Sequence, residues 1–161
     1  MTSVCFTGHR YIKENKENLR RRLLRCIEKT IKEYGIKDFY AGGAIGFDEM
    51  ASKAVISLQR KYSEIRLHLI LPCSFDEFTI KWTEKQKTQL RNIISSAYSV
   101  EYISDKYIDG CMKSRNQMLV DLADGLCICY YNPNDRRSGT GQTVRMSEKK
   151  KLRIINLFKR K

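Results

Sequence analysis

The apolar positions along this chain change period repeatedly, from the continuous or alternating runs of strands to the three-and-four spacing of helices. Ser3-Val4-Cys5-Phe6-Thr7 is a short apolar run closed by Gly8 and predicts a first strand. From Lys16 to Tyr34, Leu19, Leu23, Leu24, Ile27, Ile31 and Tyr34 recur at helical spacing, and Gly35 supplies the stop. Asp38-Phe39-Tyr40-Ala41 predicts a second strand. Phe47, Met50, Ala51, Ala54, Val55, Leu58 and Tyr62 trace the inner face of a second helix. Arg66 to Leu71, closed by Pro72, predicts a third strand. A longer connection follows with Phe75, Phe78 and Trp82, and then a helix carrying Leu90, Ile93, Ile94 and Ala97. Val100 to Ile103 predicts a fourth strand, and Met112 to Ala123 a helix with Met112, Leu119 and Leu122 inward. Gly125 to Tyr131, with Leu126-Cys127-Ile128-Cys129-Tyr130 continuously apolar, predicts a fifth, central strand. A helix near Gln142 to Lys150 and a sixth strand, Arg153 to Phe158, complete the series.

Strands that alternate with crossover-length helices must pair in parallel with right-handed connections. The pattern therefore predicts an α/β doubly wound, mainly parallel sheet of about six strands with helices on both faces. At 161 residues the chain fits one domain, 1–161, and no Gly/Ser-rich linker or repeat divides it. Hydrophobic residues at 42% exclude a disordered chain. No apolar run is long enough for a membrane span, and no signal peptide is expected at the N-terminus. Six cysteines without metal-ligand spacing, several of them inside predicted elements, point to free thiols in a reducing, cytoplasmic setting.

The net charge of +13 brings polyanions into consideration. Its distribution weakens that choice. Lysine and arginine crowd the first long helix (Arg20, Arg21, Arg22, Arg25, Lys29, Lys32) and the tail from Lys149 to Lys161, without the interleaved aromatics of a base-stacking surface.

In a sheet of this kind ligands bind beyond the carboxyl ends of the strands, at the topological switch point. The segments expected there are Thr7-Gly8-His9-Arg10, Gly42-Gly43-Ala44-Ile45-Gly46-Phe47-Asp48, Pro72-Cys73-Ser74, and Asn132 to Thr143 with Ser138-Gly139-Thr140-Gly141. A strand-to-helix turn aims unpaired N–H groups and the positive end of a helix at one point, and glycine lets an anion approach the main chain. Gly42, Gly43 and Gly46, with Gly139 and Thr140, are thus expected to hold phosphate through main-chain amides, although a purely structural tight turn explains the first three equally well. The turn is not a P-loop, because no Gly-Lys-Ser/Thr follows. Nor is it a strict dinucleotide fingerprint, since Ala41 stands where the first glycine belongs.

Asp48, in the first turn of its helix, is either a charge favoured by the helix dipole or an acceptor for ribose hydroxyls. Thr7, Gly8, His9 and Arg10 end the first strand, where His9 and Arg10 offer donors to an anion or a base. Arg115 and Asn116 are explained as exposed positions of an amphipathic helix or as ligand contacts, Arg115 neutralising charge and Asn116 binding sugar hydroxyls. His68, inside a strand, reads as a packed core histidine. Cys127 and Cys129 read as core. Neither a metal nor a required cofactor is expected.

Together these segments resemble the YpsA-like branch of the SLOG (Smf/DprA–LOG) superfamily. The resemblance rests on Cys5-Phe6-Thr7-Gly8-His9-Arg10, on Gly42 to Asp48, on Arg115-Asn116 with Met118-Leu119-Val120-Asp121, and on Ser138-Gly139-Thr140 with Thr143-Val144, whose order and spacing cover nearly the whole chain. It implies a Rossmann-like fold that binds nucleotides or nucleotide-derived ligands. Superfamily members include LOG-type phosphoribohydrolases, DNA-processing proteins and sensor domains for ADP-ribose-like signals. In the LOG-type enzymes a Gly-Gly-x-Gly-Thr-x-x-Glu segment supplies a catalytic glutamate. Here Thr143 stands three residues after Thr140, and Glu148 lies too far along the helix to replace that group. Asp48 is the one obvious substitute carboxylate near the turn.

The expectation is therefore a binding protein for a nucleotide or an ADP-ribose-like ligand, in a sensor or regulatory role, with a homodimer compatible with the fold. The alternative is a phosphoribohydrolase or nucleosidase acting on nucleoside monophosphates with Asp48 as its acid. A further alternative is DNA binding through the basic surface.

Overall fold

The computed structural model describes residues 1–159; the end of the basic tail, residues 160 and 161, lies outside them. In chain order the elements are β1 (Ser3–Gly8), α1 (Lys16–Tyr34), β2 (Asp38–Ala41), α2 (Phe47–Leu58), β3 (Arg66–Leu71), α3 (Phe75–Phe78), α4 (Glu84–Ser96), β4 (Ser99–Tyr102), α5 (Cys111–Leu122), β5 (Leu126–Tyr130), α6 (Gly139–Lys149) and β6 (Arg153–Asn156). The six strands form one sheet in the order β4-β3-β2-β1-β5-β6, with every pairing parallel. This is the doubly wound α/β arrangement that the alternating periods predict.

The winding explains where a site can form. From β1 the chain steps outward through β2 and β3 to the edge strand β4, then returns through α5 to pair β5 on the other side of β1. The connections leaving β1 and β5 diverge to opposite faces, and a crevice opens between the carboxyl ends of these two strands.

Strand alternation assigns each face. Val4, Phe6, Phe39, Leu67, Leu69, Leu126, Ile128 and Tyr130 turn to one side, where Leu19, Leu23 and Ile27 of α1 and Phe47, Ala51 and Val55 of α2 cover them. Cys5, Cys127 and Cys129 turn to the other and pack under Leu119, Val120 and Ala123 around α5 and Val144 of α6. The thiols on this face serve as small apolar side chains, and all six cysteines are free.

The helices begin and end where local chemistry directs them. Asn15 caps α1 by accepting from the Asn18 N–H at 2.9 Å, and Gly35, at φ 66°, closes it in the left-handed conformation. Thr83 and Gln86 form a reciprocal capping box at α4.

Four expectations need correction. Helix α6 starts at Gly139 rather than near Gln142, because Ser138 is an N-cap whose Oγ accepts from the Gly141 N–H at 3.0 Å. Gly139-Thr140-Gly141 is therefore the first turn of a helix, not a free loop. Strand β6 ends at Asn156, whose side-chain oxygen accepts from the N–H groups of Tyr131 and Phe158 at 3.0 and 3.1 Å. β5 is interior and wholly buried but sits second from the edge. His68 belongs to a polar network on the sheet face rather than to the apolar core: its ring nitrogens lie 2.8 Å from Asp38 Oδ1 and 2.6 Å from Ser99 Oγ, and it stacks on Tyr40. No helix among the described residues is long and apolar enough to cross a membrane.

Candidate functional site

A cleft of about 520 Å³ occupies the crevice at the switch point. Thr7, Gly8, His9 and Arg10 form the wall at the end of β1; Arg115 and Asn116 rise from α5, and Gly139 and Thr140 approach from α6. Asp48 lines the cleft from the first turn of α2. The fold thus brings together residues separated by more than a hundred positions, as the sequence reading expects. Gly42, Gly43 and Gly46 do not line it; of their turn only Ala44 reaches the wall.

The glycines of that turn serve neighbours within the protein. An ideal Cβ on Gly42 would stand 2.6 Å from Arg115 Nη1 and 3.0 Å from Asp48 Oδ2, so its absence makes room for both charged groups. Gly46 has φ 83°, and a Cβ there would strike the backbone of Arg10, which crosses close above it. That crossing is tied by the Phe47 N–H donating to the His9 carbonyl at 3.2 Å. The turn positions the site from beneath.

Arg115 and Asn116 are buried, contrary to the exposure of an ordinary amphipathic helix, with 4% and 6% of their surfaces accessible. The Arg115 guanidinium donates to the Gly42 carbonyl and, through Nε, to Asn116 Oδ1 at 2.9 Å. Asn116 in turn donates to Gln142 Oε1 on α6 at 3.3 Å, linking two walls of the cleft. Burial lowers the pKa of Arg115, while Asp48 opposes that shift and neighbouring Arg10 adds to it. An arginine nevertheless remains charged.

Asp48 is the corresponding buried anion. Its Oδ2 accepts from the Ala44 N–H at 3.3 Å, whereas its Oδ1 is buried without a hydrogen-bond partner among the described residues. Burial pushes its carboxyl up to about 6, held back by the Arg115 charge, the Ala44 N–H and Arg10. A buried carboxylate oxygen without a donor is costly.

His9 acts differently from the donor that its position suggests. Its Nε2 accepts from the Asn132 N–H at 2.8 Å, which leaves the ring proton of the neutral form on Nδ1, 3.9 Å from Asp135. Burial lowers its pKa; Asp135 works against that shift, and Lys13 adds to it. His9 thereby ties the end of β1 to the loop after β5.

The amino terminus of α6 offers an anion site. The N–H groups of Gly139 and Thr140 make no hydrogen bond among the described residues, and the helix dipole adds its positive end. Thr143, at the position of the LOG-type glutamate, is fully buried and turns its hydroxyl back onto the Gly139 carbonyl at 3.0 Å. It does not reach the cleft. No group of three or more His, Cys, Asp or Glu side chains suited to a metal occurs among the described residues.

Sequence reasoning missed several lining residues: Lys13, Tyr130, Asn132, Asp135, Gln142 and Phe158. Asn132, Asp135 and Gln142 lie in the segment flagged after the fifth strand, and Gln142 follows from helical spacing once Ser138 is recognised as a cap. Phe158 carries no local signal; it arrives by packing on Tyr130, with ring centres 5.3 Å apart.

A UPF0398 protein of Bacillus licheniformis is 26% identical over 122 residues, covering 74% of this chain and 61% of that protein. The UPF0398 protein YpsA of Bacillus subtilis is 26% identical over 117 residues, with 71% and 61% covered. The SPbeta prophage-derived protein YoqJ of Bacillus subtilis, itself uncharacterised, is 25% identical over 143 residues, with 81% of each covered. The chain thus spans about three fifths of the length of the first two relatives and four fifths of YoqJ. The model of the YspA SLOG family matches residues 5–158, nearly the whole chain, and the protein belongs to that family.

Proposed function

We propose that the cleft binds a nucleotide or nucleotide-derived, ADP-ribose-like ligand and that the protein acts as a sensor or regulator rather than a hydrolase. The observation that carries this is the buried carboxylate of the cleft-lining Asp48, near Arg115, whose Oδ1 lacks a hydrogen-bond partner among the described residues. A sugar hydroxyl is the donor that a buried carboxylate oxygen beside an arginine accepts well. The free N–H groups of Gly139 and Thr140 support a phosphate at the α6 end, with Arg10 and Arg115 balancing its charge. A cleft of about 520 Å³ suits a ligand of this size. Family membership supports a nucleotide-related role in general. With threonine at position 143, α6 brings no carboxylate to the cleft, which favours retention of the ligand over cleavage.

Titration calorimetry with nucleoside mono- and diphosphates and with ADP-ribose tests the proposal. At least one should bind the native protein, and Arg115→Gln should weaken it at least 10-fold. Silence across the series at millimolar ligand, with the protein folded, refutes it.

One observation favours a second reading. A cleft-lining carboxyl pushed up to about 6 is suited to donate a proton to a departing base. Release of free base from a nucleoside monophosphate, abolished by Asp48→Asn, would establish hydrolysis in place of sensing.

A further inference from the structure

Beside the cleft lies a second groove of about 650 Å³, and Arg10 and Tyr11 line both. The cations Lys16, Arg20, Lys53 and Lys85 surround it, together with Arg10. Glu49 is its one acidic lining residue, and Lys53 engages it at 2.9 Å. Arg10, Lys16 and Lys85 have no carboxylate partner within 4.0 Å among the described residues.

The three helices that begin at the rim of the groove each carry an acid in the first turn, Glu17 in α1, Asp48 and Glu49 in α2 and Glu84 in α4, so the unpaired cations stand beside ordinary helix starts. Lys16 and Lys85 stand in the first turns of α1 and α4, and Gly46, at the start of α2, also lines the groove. Three helices begin at the groove, and their amino termini favour an anion there. Arg10, Lys16 and Lys85, without carboxylate partners among the described residues, add positive potential to these amino termini and favour a polyanion along the groove. Tyr11, on the ridge between groove and cleft, is 78% exposed and presents an aromatic surface beside Arg10.

We infer that the ligand extends over the Tyr11 ridge: a short phosphodiester-linked oligonucleotide, with its terminal nucleotide in the cleft, its next base stacked on Tyr11, and its following phosphates in the basic groove. This rests on the nucleotide assignment of the cleft and extends it. Base stacking on an aromatic side chain adds affinity whatever the base, and phosphate contacts to single strands contribute a salt dependence of about 0.7 per ion pair.

The test uses full-length native protein, Lys16→Gln/Lys85→Gln, and Tyr11→Ala, titrated with adenosine monophosphate and with oligoadenylates of two, three and six nucleotides. The expected result is at least a 10-fold tightening from one nucleotide to three. The double variant should remove most of this gain and lower the log–log salt slope by about 1.4, leaving mononucleotide affinity unchanged. Tyr11→Ala should reduce the dinucleotide gain. Mononucleotide binding with no gain on lengthening overturns the extension and leaves the cleft assignment standing. A length-dependent gain untouched by both variants also overturns it, because the chain then follows another path. Absence of binding by every member overturns the extension, and the cleft assignment falls with it only if nucleoside diphosphates and ADP-ribose are silent as well.

Discussion

Burial of Asp48 makes a prediction that needs no knowledge of the ligand. In the unfolded chain its carboxyl titrates near the ordinary 3.8, and in the fold burial pushes it up to about 6. Below pH 3.8 the group is protonated in both states and has no effect on pH dependence. Between 3.8 and 6 the unfolded chain releases the proton while the native protein keeps it. The native state then binds more protons, so stability falls as pH rises. Above 6 both states are ionised and the penalty is complete. About two pH units at 1.36 kcal/mol each gives a penalty on the order of 3 kcal/mol. The residue is 5% exposed, so solvent screening reduces this little.

The perturbation is Asp48→Asn, which keeps the side-chain shape and an oxygen for the Ala44 N–H but cannot ionise. Losing the anion beside Arg115 shifts absolute stability as well, so the informative quantity is the difference in pH slope. Urea denaturation of both proteins at pH 4, 5, 6 and 7, at constant ionic strength, measures it. The native protein should lose about 3 kcal/mol more than the variant between pH 4 and 7, with the change concentrated below pH 6. Parallel stability curves would show that the carboxyl is solvated, and the account of the cleft built on it would fail.

Two other substitutions probe the supports of the cleft and of the helix beside it. Gly42→Ala places a Cβ 2.6 Å from Arg115 Nη1 and 3.0 Å from Asp48 Oδ2. It should destabilise the protein by about 1–3 kcal/mol through lost charged hydrogen bonds, and should weaken ligand binding more than it lowers Tm; unchanged binding would show that Arg115 is not held from that position. Lys150 donates through Nζ to the carbonyls of Val120, Asp121 and Ala123 at 2.9, 2.7 and 2.6 Å, closing the carboxyl end of α5. Lys150→Met should remove about 1–2 kcal/mol, read as a drop of several degrees in Tm by scanning calorimetry, and a Tm within a degree of the native value would exclude the cap.

The sheet was legible because burial on one or both faces leaves a mark at every strand. Val4 and Phe6 against Cys5, or Leu126, Ile128 and Tyr130 against Cys127 and Cys129, alternate between two helical layers. The errors fall where a single side chain decides a boundary. Ser138 turns a glycine-rich stretch into a helical turn, and Asn156 ends a strand that hydrophobicity alone would continue through Leu157 and Phe158. His68 misled for the same reason. Its position in the run says that it is packed, but only the partners Asp38 and Ser99, on neighbouring strands, say against what.

The site was legible by address more than by role. A strand end at the switch point identifies Thr7 to Arg10, Arg115 and Gly139-Thr140 as neighbours, because topology alone carries them there. What each does depends on contacts between elements far apart in sequence. Glycine at position 42 looks the same whether its missing side chain makes room for a phosphate or for an arginine from α5, and here the arginine takes the space. An anion at the α2 turn would moreover meet Asp48, whose Oδ2 already accepts the Ala44 N–H. At the start of α6 no acidic residue stands in the first turn, and two N–H groups are free. The two glycine-rich turns therefore differ: one makes room for the buried Asp48 and Arg115, and the other presents the N–H groups on which the proposed anion site rests.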